Sequence, residues 1–418
     1  MKKILGVLIF VCAVIALISL LLLRGGFLDS LKGTEPVVPT ASSAAPVSPS
    51  DDLTPPVHMT PDPTPAAEQT AEPTPEPDCE PEQFTLSFIG DLTLAGSPGV
   101  PLNFWQTING DYAYPFSLVK QYFVDDEYTL GNLECTFSDQ NLQSIEYFSF
   151  RAPTEYANIL LEGGVDFVTT ANNHTEDFRT AGKRDTWAAL EQYGIPFGKD
   201  DEYQIVTTPG GLRLGIYCLN GTLEVSTNII WINEEKAIEA VRALKEQEPD
   251  LIICMFHMGA ELNYYPEQKT PANCDACRRC IDEGADIIYS SHPHCLQPIE
   301  EYNGGLIFYS MGNFVFGGNS MPKDQDTAIV QLTVNRDSNG NVSLGDYTII
   351  PCCIANKPVT DPNLSAKVRG VNTPYNDLRP TPYEEGSEDY LRALSKIDGS
   401  YDGPDGKADY TNWHEQHG

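Results

Sequence analysis

Residues Phe84–Asp91 read FTLSFIGD, a short apolar run that ends on Gly90-Asp91. The pattern is that of a buried strand delivering a carboxylate to a loop. Similar stretches follow: YTLGNLE (Tyr128–Glu134), VDFVTTANNH (Val165–His174), LIICMFHMG (Leu251–Gly259), ADIIYSSHPH (Ala285–His294) and LIFYSMGNF (Leu306–Phe314). Helical patterns lie between them at Thr180–Tyr193, Glu234–Gln247 and Pro271–Glu283. The alternation predicts an α/β core with helices outside the sheets. Hairpin turns are expected at Pro209-Gly210-Gly211 and near Asn339-Gly340. The ordered domain is expected over residues 84–356.

Upstream the text changes character. Thr34–Glu82 is rich in proline and acidic residues and has no aromatic side chain. Such a segment buries too little apolar surface to offset chain entropy, so residues 34–83 are expected to form a disordered, extended spacer. Before it, Lys2 and Lys3 precede the uncharged run Ile4–Leu23, 20 residues long. At about 1.5 Å per residue the run crosses a hydrocarbon core of ~30 Å. Residues 1–33 therefore read as a cytoplasmic stub and transmembrane signal anchor in preference to a cleaved leader, because no A-x-A cleavage pattern follows. The expected location is the cell membrane, single-pass, with the main domain extracytoplasmic. Downstream, residues 357–418 are expected to be a loosely ordered acidic extension with a helix at Tyr383–Ile397, and with His414 and His417 exposed.

The chain of 418 residues carries 26 Lys+Arg against 59 Asp+Glu, a formal net charge of −33. That balance argues against a nucleic-acid partner, which is held by clustered cations.

The chemistry sits at the strand ends. Of seven histidines, His174, His257, His292 and His294 all fall at or just past the C-terminal end of a predicted strand, the edge where open α/β sheets bind ligands. Asp91, Asn132, Glu134, Asn172, Asn173 and Glu261 stand beside them. Carboxylates that can bridge cations, neutral imidazoles that complete each shell and room for water are what a two-metal hydrolytic site requires. A lone buried histidine is usually structural; it is that all four of these histidines fall at strand ends, with Asn or carboxylate beside them, that favours a metal site.

Six motifs occur in order: Gly90-Asp91; Gly131-Asn132-Leu133-Glu134; Ala171-Asn172-Asn173-His174-Thr175-x-Asp177; His257-x-Gly259-x-Glu261; Ser291-His292-Pro293-His294; and Tyr309-Ser310-Met311-Gly312-Asn313-Phe314. Over about Phe84 to Phe316 the series resembles the CapA family of poly-γ-glutamate capsule biosynthesis proteins, related to the calcineurin-like metallophosphoesterases. The resemblance implies a four-layer α-β-β-α sandwich with a dinuclear site of divalent ions, with Mn, Fe and Zn as the metals to be weighed. It implies that Asp91 and His294 bind the first metal, that Glu134 bridges, and that Asn173, His257 and His292 bind the second. His174 would be the acid that protonates a leaving group or orients the substrate. It further implies an anionic polymer or phosphoester as substrate, and membrane partners of a capsule synthase or export complex. One departure stands out. Where the metallophosphoesterases have Asp-x-His, this chain has Asp91-Leu92-Thr93, so the first centre is expected to hold metal more weakly. A non-catalytic, polymer-handling subunit with a degenerate site is the alternative.

Other residues carry two readings each. Arg151 is a possible anion clamp or an ion-paired surface residue. Ser310 and Asn313 line the cleft or hold a turn. Glu261 orients His257 or lies on the surface. Cys274, Cys277 and Cys280, spaced along one helical stripe, read as thiols or disulfides in preference to a metal cluster.

Overall fold

The computed structural model describes residues 80–96, 104–142, 144, 148–318, 322–354, 357–358 and 374–402. The expected anchor, the spacer, His414 and His417 lie outside them. No helix among the described residues is long and apolar enough to cross a membrane.

Two sheets face each other. The first runs Thr381–Pro382, Val342–Cys353, Asp326–Arg336, Glu82–Thr93, Tyr128–Leu133, Phe167–Thr169, Phe197–Gly198, with Asn313–Phe316 also pairing the Glu82–Thr93 strand. The second runs Ile299–Tyr302, Gly305–Phe308, Ile287–Ser291, Leu251–His257, Arg213–Asn220, Glu202–Thr207. The strands that carry the motifs pair in parallel, so their C-terminal ends collect on one edge of each sheet.

Side-chain alternation assigns the layers. Leu86, Phe88, Leu130 and Phe167 from the first sheet meet Ile216, Ile253, Met255, Tyr289 and Phe308 from the second. The other face of the first sheet, through Ile89, Leu92, Leu133 and Val168, packs on the helices Ala157–Gly163 and Arg179–Tyr193. The other face of the second, through Tyr217, Ile252, Cys254 and Phe256, packs on Glu234–Lys245 and Pro271–Glu283. The order is helix, sheet, sheet, helix, with the central strands of both sheets buried on both faces, which is why those strands read as apolar runs.

The helix ends follow local chemistry. Asn233 caps Glu234–Lys245 by accepting from the Lys236 N–H at 3.1 Å, and Glu234 and Glu235 in the first turn suit the helix dipole. Pro271 opens the next helix, and Gly284, with φ 119°, closes it. Cys274, Cys277 and Cys280 are buried along its inner side against Cys254. They are core thiols; no disulfide forms among the described cysteines.

Two expectations need correction. LIFYSMGNF is not one strand. Gly305–Phe308 belongs to the second sheet and Asn313–Phe316 to the first. The chain crosses at Gly312, whose φ of 66° breaks the extended run. The described residues 374–402 of the C-terminal extension are also less loose than expected. Its helix starts at Glu388, after Ser387 accepts from the Tyr390 N–H at 3.1 Å, and it packs Ala393 and Ile397 against Leu296 and Ala328. The expected start at Tyr383 fails because Gly386, at φ 76°, and the Ser387 cap intervene.

Candidate metal centre

The Asp91 carboxylate is carried to the sheet edge by a strand that must pass very close to its neighbour. The Asp91 N–H donates to the Gly312 carbonyl at 2.8 Å, and a Cβ at Gly90 would collide with that same carbonyl. Only glycine fits there. Asp91, Glu134, His257 and His292 are fully buried.

A chain of carboxamides fixes the first carboxylate. Asn172 Nδ2 donates to Asn132 Oδ1 at 3.0 Å, and Asn132 Nδ2 donates to Asp91 Oδ1 at 2.8 Å. The second oxygen, Asp91 Oδ2, lies 3.3 Å from His294 Nδ1 and makes no hydrogen bond of normal geometry. His294 Nδ1 also meets Asn313 Oδ1 at 2.9 Å. Ligand atoms of Asp91, Glu134 and His294 all lie within 4.8 Å of one another.

Glu134 sits between two imidazoles: its Oε1 is 3.9 Å from His294 Nε2 and 3.5 Å from His257 Nε2. His257 Nε2 also meets Asn173 Oδ1 at 2.7 Å, while its Nδ1 meets Ser291 Oγ at 2.9 Å. The His292 ring stands 5.0 Å from that of His257 and 6.0 Å from that of His294. The loop that carries both of these histidines is strained: His292 has φ 100° and His294 φ 54°, a region that side-chain-bearing residues seldom occupy.

The electrostatics are unbalanced. Both Glu134 oxygens, Asp91 Oδ2 and both His292 nitrogens are buried without a hydrogen-bond partner. A buried unpaired charge costs several kcal/mol. Burial, reinforced by Asp91 and opposed by His294, raises the Glu134 carboxyl well above its ordinary range. Burial opposes protonation of His294, but the Glu134 and Asp91 carboxylates outweigh it and push its pKa up to about 10. Burial pulls His292 down to about 3, and burial with the neighbouring imidazoles also lowers His257. His292 and His257 are therefore neutral near pH 7 and able to offer lone pairs. Oxygen donors, neutral imidazole and unsatisfied negative charge together fit a divalent cation.

His174 lies at the edge of the cluster, partly exposed. Its Nδ1 contacts Asp177 Oδ2 at 3.0 Å, and its ring packs on Phe150 at 4.6 Å. Asp177 is itself held by the Phe150 N–H at 2.8 Å.

The structure thus brings together Asp91, Glu134, Asn173, His257, His292 and His294, with His174 beside them. Of the residues that carried two readings, Ser310 and Asn313 are buried and make structural contacts: Ser310 Oγ accepts from the Gly312 N–H at 3.2 Å, and Asn313 orients His294. The Arg151 guanidinium is engaged at Nη1 by the Gln140 carbonyl and stacks 5.4 Å over the Phe178 ring. Glu261 is exposed, and the group that orients His257 is Ser291. Thr93, at the position of the missing imidazole, is buried with its hydroxyl unpartnered. Asp177, Ser291, Asn132 and Asn172 all stand inside the motifs without an individual role, which contact geometry supplies.

Residues 85–318 match the family model described as bacterial capsule synthesis protein PGA_cap. The capsule biosynthesis protein CapA of Bacillus anthracis is 27% identical over 308 residues, covering 67% of this chain and 71% of that protein. The PGA biosynthesis protein CapA of Bacillus subtilis (strain 168) is 28% identical over 241 residues, covering 54% of this chain and 62% of that protein. Among solved structures, the NAD nucleotidase of Haemophilus influenzae is similar at 14% identity and a TM-score of 0.39, covering 76% of this chain and 62% of that one. The purple acid phosphatase PPD1 of yellow lupin is similar at 13% identity and a TM-score of 0.34, covering 66% and 55%. Because the matched span takes in the whole cluster, from the Asp91 strand to the Asn313 strand, the chain that builds this centre belongs to the bacterial capsule synthesis protein family, PGA_cap.

Proposed function

We propose that this chain is a membrane-anchored, extracytoplasmic protein of poly-γ-glutamate capsule biosynthesis or export, and that its buried cluster holds two divalent cations for hydrolysis. The observation that carries this reading is the convergence of Asp91, Glu134, His292 and His294 with buried atoms that lack partners. Relatives whose names refer to capsule and PGA biosynthesis support the biological setting. Asp91 and His294 would hold one ion, Asn173, His257 and His292 the other. Glu134, with Oε1 between the two imidazoles, would bridge them.

Bound divalent cations would supply Lewis acidity toward a phosphoryl or acyl oxygen and lower the pKa of a bound water. The protein's own groups do the rest. Donation from Nδ1 to Asp177 fixes the His174 tautomer and leaves Nε2 for the substrate. A protonated His174 would deliver its Nε2 proton to the departing oxygen or amine. Ser291, accepting from Nδ1–H of His257, would turn the Nε2 lone pair toward a cation shared with Asn173, whose Oδ1 lies 2.7 Å from that nitrogen. Asn132 and Asn313 hold Asp91 and His294 in place. A cation-filled cleft would also be locally positive, which lets a strongly acidic protein accept a polyanion.

A second reading is a polymer-handling subunit without turnover. The unpartnered Thr93 hydroxyl in the position of an imidazole favours it. Metal content and turnover separate the two. Purified protein is assayed for bound Mn, Fe and Zn, then against a phosphodiester and a γ-glutamyl amide with and without Mn²⁺. Metal-dependent turnover that His174→Ala abolishes, with metal retained, supports the hydrolase. Stoichiometric metal with no turnover supports the handling subunit, and no metal at all removes the hydrolase.

A further inference from the structure

Outside the cluster, the most heavily buried cation among the described residues is Lys396 of the C-terminal helix Glu388–Ile397, beyond the family-matched span. The Lys396 side chain is 3% exposed. Its Nζ donates to Asp324 Oδ2 and Asp326 Oδ2, both at 2.6 Å. Asp326 accepts further from Arg392 Nε at 2.9 Å and Nη2 at 2.6 Å, and from the Tyr383 hydroxyl at 2.7 Å. Two cations face the two buried carboxylates, and Arg392 also reaches the exposed Asp389 carboxylate. The Lys396 ammonium also stands over the rings of Tyr264, at 5.0 Å, and Tyr401, at 5.1 Å.

This network grips the His292–Leu296 loop from two sides. On one side Tyr264 packs with Cys295. On the other, Ala328, two residues past Asp326, packs with Leu296, Ala393 and Ile397. The two meet at Gly312, where a Cβ would lie 3.2 Å from the Asp326 carbonyl and 3.3 Å from Leu296 N. Leu296 bridges Met311 in an antiparallel pair. The next residue along, Asn313, holds His294 Nδ1 at 2.9 Å. An unbroken series of contacts therefore runs from Lys396 to a candidate metal ligand.

We infer that Lys396 is a positioning residue for the metal centre: its pairing with Asp324 and Asp326 holds the strained His292–His294 loop in ligand geometry, which makes the C-terminal helix a working part of the site. The inference rests on the metal reading above. Its physical basis is that removing one member of a buried ion network leaves the others uncompensated, so the segment must rearrange. That segment is packed against the loop.

The test uses the full-length chain. Lys396→Met should weaken Mn²⁺ binding by about ten-fold, the scale of outer-shell changes, and should shift the His294 imidazole NMR signals in metal-free protein. The control is Ile281→Ala, in the outer core on the far side of the second sheet. It should lower Tm and leave both readouts unchanged. Should Lys396→Met not fold, Arg392→Ala, which removes the half-exposed cation on Asp326, should move the His294 signals in the same direction by a smaller amount. Wild-type Mn²⁺ affinity in Lys396→Met overturns the inference, as do equal effects from Ile281→Ala. If the wild type takes up no Mn²⁺, the metal reading fails separately, and unmoved His294 signals in the variant then overturn the positioning role itself.

Discussion

Replacing Glu134 with glutamine separates two effects of opposite sign. In metal-free protein both Glu134 oxygens are buried without partners, and burial, then Asp91, raises the carboxyl against the partial relief from His294. An acid whose pKa is raised by folding binds its proton more tightly folded than unfolded. Metal-free stability therefore falls as pH climbs above the unfolded value of roughly 4.3. Once pH has passed the raised carboxyl value, the buried charge costs several kcal/mol, whereas a buried, poorly paired amide costs about 1–3 kcal/mol. Glu134→Gln should therefore stabilise the metal-free protein by roughly 2 kcal/mol, about 4 °C in Tm for a domain of this size. Mn²⁺ reverses the order. At a hundred times Kd a ligand stabilises its protein by about 2.7 kcal/mol, and the variant has lost the carboxylate that would bridge. Differential scanning calorimetry in EDTA and in Mn²⁺ should show the melting curves exchange rank. A variant less stable than wild type in EDTA, or equal stabilisation of both proteins by Mn²⁺, refutes the reasoning.

Three further outcomes are expected. His292→Ala should reduce Mn²⁺ affinity by at least about ten-fold while His414→Ala leaves it unchanged; equal losses in a binding titration would misplace the site. Asp177→Asn should lower turnover by roughly 100-fold through the His174 tautomer, with metal content intact by elemental analysis; parallel loss of metal would give Asp177 a different role. The third concerns pH. Because His294 is pushed up to about 10, its contact with Glu134 and Asp91 contributes stability fully below roughly 6.5, and this is lost as pH rises through the folded value. Metal must displace that proton, so calorimetric titration of Mn²⁺ in two buffers of different ionisation enthalpy should read about one proton released near pH 7. Zero release contradicts the assignment of His294 as a ligand.

Much of this was legible in the sequence because two-sided burial writes itself as apolar runs. Phe84–Asp91 and Leu251–His257 are recognisable for that reason, and parallel pairing gathers their polar ends at one edge. Where a run is interrupted by geometry and not by composition, reading fails. LIFYSMGNF stays apolar across Gly312, yet its halves belong to different sheets. Within the site, residue types with one dominant use (Asp91, Glu134 and the histidines) were readable. Residues with many uses were not: Asp177, Ser291 and Asn132 acquire their roles only from distances of 2.8 to 3.0 Å that no spacing encodes. Arg151 has contacts that spacing does not encode either, with the nearby Gln140 carbonyl and the Phe178 ring. Lys396 was hidden most completely, since its partners lie 70 and 72 residues away and a lysine in a helix's last turn ordinarily faces water.

The most direct measurement is anomalous scattering at the manganese edge from crystals of the protein grown with Mn²⁺. The expected result is two peaks flanking the Glu134 carboxylate, one within coordination reach of Asp91 and His294, the other of Asn173, His257 and His292. No peak at the cluster, or a peak that leaves Glu134 and His292 unbound, would contradict a dinuclear centre built by these strand ends.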